Sequence, residues 1–399
     1  METVTVPEKE QIATKRKYNT SYKCSFTLPA VNDKGEYPLS IELLKVNGQE
    51  NKDASAKLEK TIAVASKVAA KIPVVEEYTG GWCGNCVRGI GSLNYMAENF
   101  EDFIGIAYHN NDAMEVLAQR EFPESVGGFP YARFDRTYDT DIYYGQRRDS
   151  QYGLDAHWIE LAQQSAPAEI SVKAEWNGED KSSIKVTSSV NFVEDDDFNL
   201  YTLAYVLLHD NMSGKGARWK QKNYYVGDSR FKFDPYMEQF VNGEEEMYPI
   251  YNEVMVACSD IRGIANSLPR EVKADTPVEH EFIFNVNDVK NTAGQGLIQD
   301  KNKLRVAVLM IGSNRKIANA GKAFVPGYDG EALKAVGKGN PTVPRVEVSS
   351  SVQDLESEDA GAKIVAYYDM TGREIRNPEN GVYIVRLSNG NTRKCVIRK

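Results

Sequence analysis

Long apolar runs are missing from this chain. No stretch approaches ~18 consecutive apolar residues, so nothing in it spans a membrane as a helix. Cysteine is scarce, with five in 399 residues (Cys24, Cys83, Cys86, Cys258 and Cys395). That excludes a disulfide-dense scaffold, which a chain of this length does not need. There is no second cysteine pair beside Cys83 and Cys86, so a zinc ion there would lack two ligands. Basic residues are not in excess: the net charge is -9, which argues against nucleic-acid binding. Residues 1–20 are polar and lack the apolar core of a signal peptide.

What remains is ordinary in bulk and uneven in detail. Hydrophobic residues make up 41% and charged residues 26%, as in soluble globular proteins. At about 150 residues per domain the length suggests two or three domains. Residues 361–399 carry eight Lys/Arg against three acids, while the chain as a whole is negative, so this tail is expected to be a separate module. Residues 1–60 are expected to be a β-rich segment, with strands near 25–28 and 39–43 and a polar connector over 47–60. Residues 61–167 alternate strand and helix, which argues for helices layered on a sheet. Residues 168–325 carry short strand-like runs between Asn, Gly, Asp and Pro clusters, the pattern of an antiparallel sandwich. Residues 326–344 are a Gly/Pro-rich linker. Residues 345–399 close with three strands, the last two joined by an Asn389-Gly390 turn.

The chemistry concentrates in Trp82-Cys83-Gly84-Asn85-Cys86. The motif follows a strand-like stretch over 72–78 and precedes a helix expected over 87–100. Two cysteines two residues apart at a strand-to-helix turn form the working unit of thiol–disulfide exchange. Cys83 is the expected nucleophile. Free backbone N–H groups and the positive end of the helix dipole stabilise a thiolate there, lowering its pKa below the ordinary value of about 8.5. Cys86 is the expected resolving thiol. Glu77, on the incoming strand, is the candidate acceptor of the Cys86 proton, because a carboxyl buried there has a raised pKa. The alternative is a surface Glu, since Glu76 sits beside it and alternation puts only one of the two inside. Pro130, in Gly128-Phe129-Pro130, is expected to follow a cis bond that turns the Phe129 backbone toward an incoming peptide. The alternative is a trans proline before an edge strand. Trp82, Phe129 and Gly128 are candidates for substrate binding. No metal and no cofactor is expected.

These motifs resemble the thioredoxin fold over 72–164. The resemblance implies nucleophile, resolving cysteine, buried acid and cis proline at Cys83, Cys86, Glu77 and Pro130. Three features depart from it: the Gly84-Asn85 pair, Gly89 and Gly91 in the following helix, where glycine lowers helix propensity, and the bulky Phe129 before the proline. The run from Glu76 to Cys83, followed by a β-domain, resembles the twenty-eight-kilodalton outer-membrane-protein family of Gram-negative bacteria; Tyr201–Asp210 and residues 314–325 resemble its second domain. Tyr368-Asp369-Met370-Thr371-Gly372-Arg373, Asn380-Gly381-Val382-Tyr383 and the basic last strand resemble the C-terminal sorting domain of type IX secretion cargo. That resemblance implies export through the periplasm to the outside or the outer-membrane surface, with the secretion machinery as a partner. Set against the missing signal-peptide core, it leads to the expectation that Met1 is not the native start or that upstream sequence was lost.

The fold class expected is therefore α/β plus all-β: a thioredoxin-like domain, then an antiparallel β-sandwich and a small C-terminal sorting domain, preceded by a partial β segment. The expected function is an exported thiol–disulfide oxidoreductase acting on thiol- or disulfide-containing proteins. The alternative is a non-catalytic surface binding or structural protein in which Cys83–Cys86 is a static disulfide. The acidic runs Glu194-Asp195-Asp196-Asp197 and Glu244-Glu245-Glu246 are expected to be solvated turns, not calcium sites. His109 is expected at the surface, near the end of the strand after the motif.

Overall fold

The structure, a computed structural model, describes residues 35–46, 49–52, 57–64, 67–120, 126–140, 142, 154–329, 364–368, 375, 381–387 and 392–397. Cys24, the strand expected near 25–28, most of the linker and the Asn389-Gly390 turn lie outside the described residues. The chain divides into two compact units, Met1–Lys67 and Val68–Lys399.

In the first unit Gly35–Glu42 pairs antiparallel with Lys57–Val64. The connector expected to run to residue 60 is thus shorter. Thr61, Ile62 and Val64 are β-branched and favour an extended chain.

The second unit is organised by one eight-stranded mixed sheet. Its order is Ile317–Phe324, Leu304–Ile311, Thr202–His209, Val254–Cys258, Ile104–His109, Val74–Thr79, Tyr131–Phe134 and Tyr138–Thr140. This corrects the expected fold class. The segment carrying the cysteine motif does not form a separate α/β domain followed by a separate sandwich. Val254–Cys258 pairs in parallel with Ile104–His109 through Val254 and Ala107, and this joins both sets of strands into one sheet. The helical complement is small. Between Ile104–His109 and Tyr131–Phe134 the described helix is the single turn Leu117–Arg120, and the residues before it are held in a loop by Asp112, whose Oδ1 accepts from Met114 N at 2.9 Å. The described residues are mostly β.

A second, three-stranded antiparallel sheet, Ala168–Asn177, Ser183–Phe192 and Val278–Asn285, contributes to the same core as the large sheet. Ile184, Val186, Val190 and Phe192 are buried at every second position, as one inward face requires. Gly321 brings the two sheets close: a Cβ there would stand 2.8 Å from Ile170 O. Leu304–Ile311 is buried along its whole length and is accordingly a continuous apolar run apart from Arg305. Arg305 ties the strands together from inside, donating to Asp210 Oδ1 at 2.9 Å and approaching Glu253 Oε2 at 2.6 Å.

Beside the motif, the helices Val87–Asn99 and Leu154–Ala162 cover one face of the sheet. Leu93, Met96, Phe100, Leu154 and Trp158 pack there with Val75 and Phe134. Each such side chain stabilises the fold by roughly 1.5–3 kcal/mol through burial. Val74 and Tyr78 face the opposite way, into the core shared with the three-stranded sheet. The Val74–Thr79 strand is therefore buried on both faces. Ile364–Tyr368, Gly381–Leu387 and Thr392–Ile397 form a further three-stranded antiparallel sheet.

Candidate functional site

Cys83 and Cys86 form a disulfide, with their Cα atoms 5.4 Å apart. The helix begins at Val87, as expected, with Cys86 as its N-cap. Cys86 N donates to Cys83 O at 3.1 Å, and Gly89 N donates to Cys86 O at 3.0 Å. The positive end of the helix dipole therefore lies at Cys86, with Cys83 in the turn before it. Cys83 is 6% exposed, Cys86 is fully buried, and Trp82 is 46% exposed.

Both neighbouring acids on the incoming strand are buried, because that strand is covered on both faces. Alternation separates their surroundings instead of their burial. Glu76 is matched by Arg136, which approaches its Oε1 at 2.8 Å, and it accepts from Tyr108 OH at 2.8 Å. Glu77 points to the helix side. Its Oε1 has no hydrogen-bond partner among the described residues. Burial pushes its carboxyl up to about 7, against the pull of His109, a Thr79 hydrogen bond and Arg88.

Gly89 explains how that carboxyl fits. A Cβ there would lie 1.6 Å from Glu77 Oε1, so only glycine leaves room. Residues three apart share a helix face, and a Cβ tilts toward the helix N-terminus, so Glu77 lies against the face that carries Cys86. Gly91 likewise marks a close approach: a Cβ there would stand 3.1 Å from Tyr236 O. The two glycines that lower helix propensity are thus positions where the helix is approached closely. Along the Cys86 face, Ile90, Leu93 and Asn94 join Glu77, Thr79, His109, Tyr251 and Asn252 around a cavity of about 10 Å³. That is about the space one water molecule occupies.

His109 is buried, not at the surface. It ends the strand beside the acid strand, paired with Thr79. Its Nδ1 lies 2.7 Å from Asp112 Oδ2, which also accepts from Gly81 N at 2.9 Å. Arg218 Nη2 donates to Asp112 O. Trp82 Nε1 donates to Asn110 O at 2.9 Å. The 109–112 loop therefore braces the turn that presents Cys83.

A distant segment straps the same turn. Gln221 Nε2 donates to Cys83 O at 2.8 Å, Lys222 N to Gly81 O at 2.7 Å, and Tyr224 N to Gly84 O at 3.0 Å. Tyr224 lays its ring over Gly84, where a Cβ would stand 2.5 Å from it, yet the residue is 68% exposed. At Gly81 a Cβ would stand 2.5 Å from Lys220 O. Both motif glycines are thus fixed by close backbone or ring approach.

The remaining candidates gather on the exposed side. The Phe129 ring meets Trp82 edge-on at 5.3 Å. Phe129–Pro130 is a cis peptide bond, and Gly128 is exposed with open space around it. Sequence reasoning read Gly89 only as a weak helix former, missed Asp112, Gln221 and Tyr224, and misplaced His109. A polar residue at the carboxyl end of a strand adjacent to the acid strand was a signal for His109. Nothing local marks Gln221 or Tyr224, which lie over 130 residues from the motif.

No family model matches the chain, and no curated protein matches it. The expected family resemblances therefore rest on their motif residues alone. Among solved structures the chain is similar to HBP35 of Porphyromonas gingivalis, at 16% identity and a TM-score of 0.43, covering 84% of this chain and 100% of that one. It is also similar to a protein of Agrobacterium tumefaciens, at 12% identity and a TM-score of 0.34, covering 65% of this chain and 95% of that one. Scores at this level carry no argument about fold or function.

Proposed function

We propose that Cys83 and Cys86 exchange thiol and disulfide with other proteins. The observation that carries this reading is the Glu77 carboxyl, seated by Gly89 on the helix face of Cys86, with an Oε1 that has no hydrogen-bond partner among the described residues and a pKa raised by burial to about 7. An acid poised near neutrality suits a proton acceptor. In the reduced protein the Cys83 thiolate attacks a substrate disulfide, forming a mixed disulfide and releasing one substrate thiolate. Cys86 gives its proton to the Glu77 carboxylate and attacks Cys83 sulfur. The second substrate thiolate leaves, and the internal disulfide is restored. Two electrons pass to the substrate, and a thiol reductant resets the pair. Trp82 and Phe129 form the exposed aromatic contact for the incoming chain.

A second reading has more direct support from burial and strapping: the disulfide is a static cross-link in a surface binding or structural protein. Both cysteines are nearly inaccessible, and the 220–224 segment is bonded across the turn. Under either reading we place the protein outside the cytoplasm, exported through its C-terminal segment, whose residues resemble a sorting-domain motif. Among the described residues no helix is long and apolar enough to cross a membrane, which says nothing of β-barrels. Trapping separates the two readings. Cys86→Ser protein, reduced and mixed with insulin as a disulfide-bearing probe, is expected to form a dithiothreitol-sensitive adduct through Cys83. No adduct, with intact folding, establishes the static cross-link.

A further inference from the structure

We propose that His109, held by Asp112, is a proton-relay residue for Glu77, exchanging the proton of the resolving step across the cavity that both side chains line. The proposal rests on the exchange reading above and extends it to where the proton goes.

Four observations converge on it. The Glu77 carboxyl is seated by Gly89 on the Cys86 face of the helix. Its Oε1 has no hydrogen-bond partner among the described residues. Glu77 and His109 line one water-sized cavity, with Thr79, Asn94, Tyr251 and Asn252 as its polar walls. Asp112 engages Nδ1 of His109 at 2.7 Å. A carboxylate accepts, so Nδ1 carries the hydrogen and Nε2 is the nitrogen that can take a second proton. An imidazolium formed there keeps its Asp112 partner at contact distance.

The charged and titratable groups around the pair come from every neighbouring element. His109 lies on the adjacent parallel strand, Arg88 comes from the motif helix and Thr79 from the same strand as Glu77. Tyr251 stacks edge-on against His109 at 5.3 Å from the far wall. On its other side Glu77 pairs with Ala132, which brings no charge. His109 is thus the imidazole on that cavity whose Nε2 can take the proton. The step balances: Cys86 sulfur loses a proton to Glu77, Glu77 passes it to His109 Nε2, and Cys86 sulfur bonds to Cys83 as the substrate thiolate leaves. His109 is a positioning residue, because it acts through Glu77 and touches neither sulfur.

The test uses the full reduced chain and Ellman's reagent in stopped flow. Attack by Cys83 releases the first thionitrobenzoate, and attack by Cys86 releases the second. The second phase is expected to show an inflection with pH that Glu77→Gln abolishes. His109→Asn keeps a donor for Asp112 but removes Nε2. It is expected to slow the second phase by at least about tenfold, move its inflection and leave the first phase alone. In the Glu77→Gln background it is expected to add nothing. As a readout free of turnover, ¹³C NMR of the Glu77 carboxyl in the oxidised protein is expected to show a higher pKa in His109→Asn. A second phase with unchanged rate and pH profile in a folded His109→Asn protein, with an unmoved Glu77 titration, overturns the relay while exchange stands. Absence of both phases in the wild type overturns exchange and the relay with it.

Discussion

Glu76 and Glu77 are adjacent on one strand, equally buried, and chemically opposite. On the Glu76 face the charge is matched: Arg136 approaches at 2.8 Å and Tyr108 donates. On the Glu77 face there is a glycine, a water-sized cavity and an oxygen without a hydrogen-bond partner among the described residues. A buried carboxyl with an ion partner stays as a fixed structural element, whereas one without it is neutralised by a proton near neutral pH. The first face holds the sheet to its neighbours, with Arg136 also donating to Ile261 O at 2.9 Å. The second face is the one from which, on the exchange reading proposed above, the Cys86 proton is taken.

The contrast can be broken at either acid. The largest effect is expected from Arg136→Ala, which strands the Glu76 charge and costs about 3–5 kcal/mol in denaturant unfolding. A loss under 1 kcal/mol would remove the distinction between the two faces. Next is the pH dependence carried by Glu77. Its value rises from 4.5 to about 7 on folding, so the folded state binds the proton more tightly. Stability is then full below 4.5 and falls by about 3 kcal/mol as pH rises through 7. Glu77→Gln is expected to remove that fall, gaining on the wild type as pH increases. Glu253, raised to about 7 by burial and by Asp210, titrates in both proteins and cancels in the difference. A constant difference between the two proteins across this window would contradict the assignment.

Smaller effects sharpen the site. Gly89→Ala gains about 1 kcal/mol of helix propensity but drives a Cβ into the Glu77 carboxyl. A net loss of about 1–3 kcal/mol is expected, recovered when Glu77 is also changed to Ala. A simple stabilisation would mean that the cradle does not exist. The smallest effect is expected from Tyr224→Ala. It uncovers Gly84, and the disulfide should be reduced severalfold faster by dithiothreitol, with stability nearly unchanged because the ring is largely exposed. An unchanged rate would show that the strap does not limit access.

Local elements were legible in the sequence, and assembly was not. The motif, its flanking strand and most later strands announce themselves by alternation or apolar runs, as in Ser183–Phe192 and Leu304–Ile311. The single eight-stranded sheet was not legible, because it depends on Val254–Cys258 pairing with a strand some 150 residues earlier. That both Glu76 and Glu77 are buried was not legible, because alternation assigns one acid to solvent only when a sheet is covered on one side. Gly89 was visible as a poor helix former, but its role as the space for a carboxyl exists only once the strand and helix are packed. His109 shows the same limit: its neighbour Asp112 is three residues away, yet its burial comes from Tyr251, over a hundred residues later.

The most direct test of the account is a redox titration of Cys83 and Cys86 in glutathione or dithiothreitol buffers, read by differential alkylation. Exchange predicts a reversible two-electron transition between about -270 and -120 mV, the span of working dithiol pairs. A pair that stays oxidised below about -300 mV behaves as a structural disulfide, and that result would contradict the account and leave the chain a cross-linked binding protein.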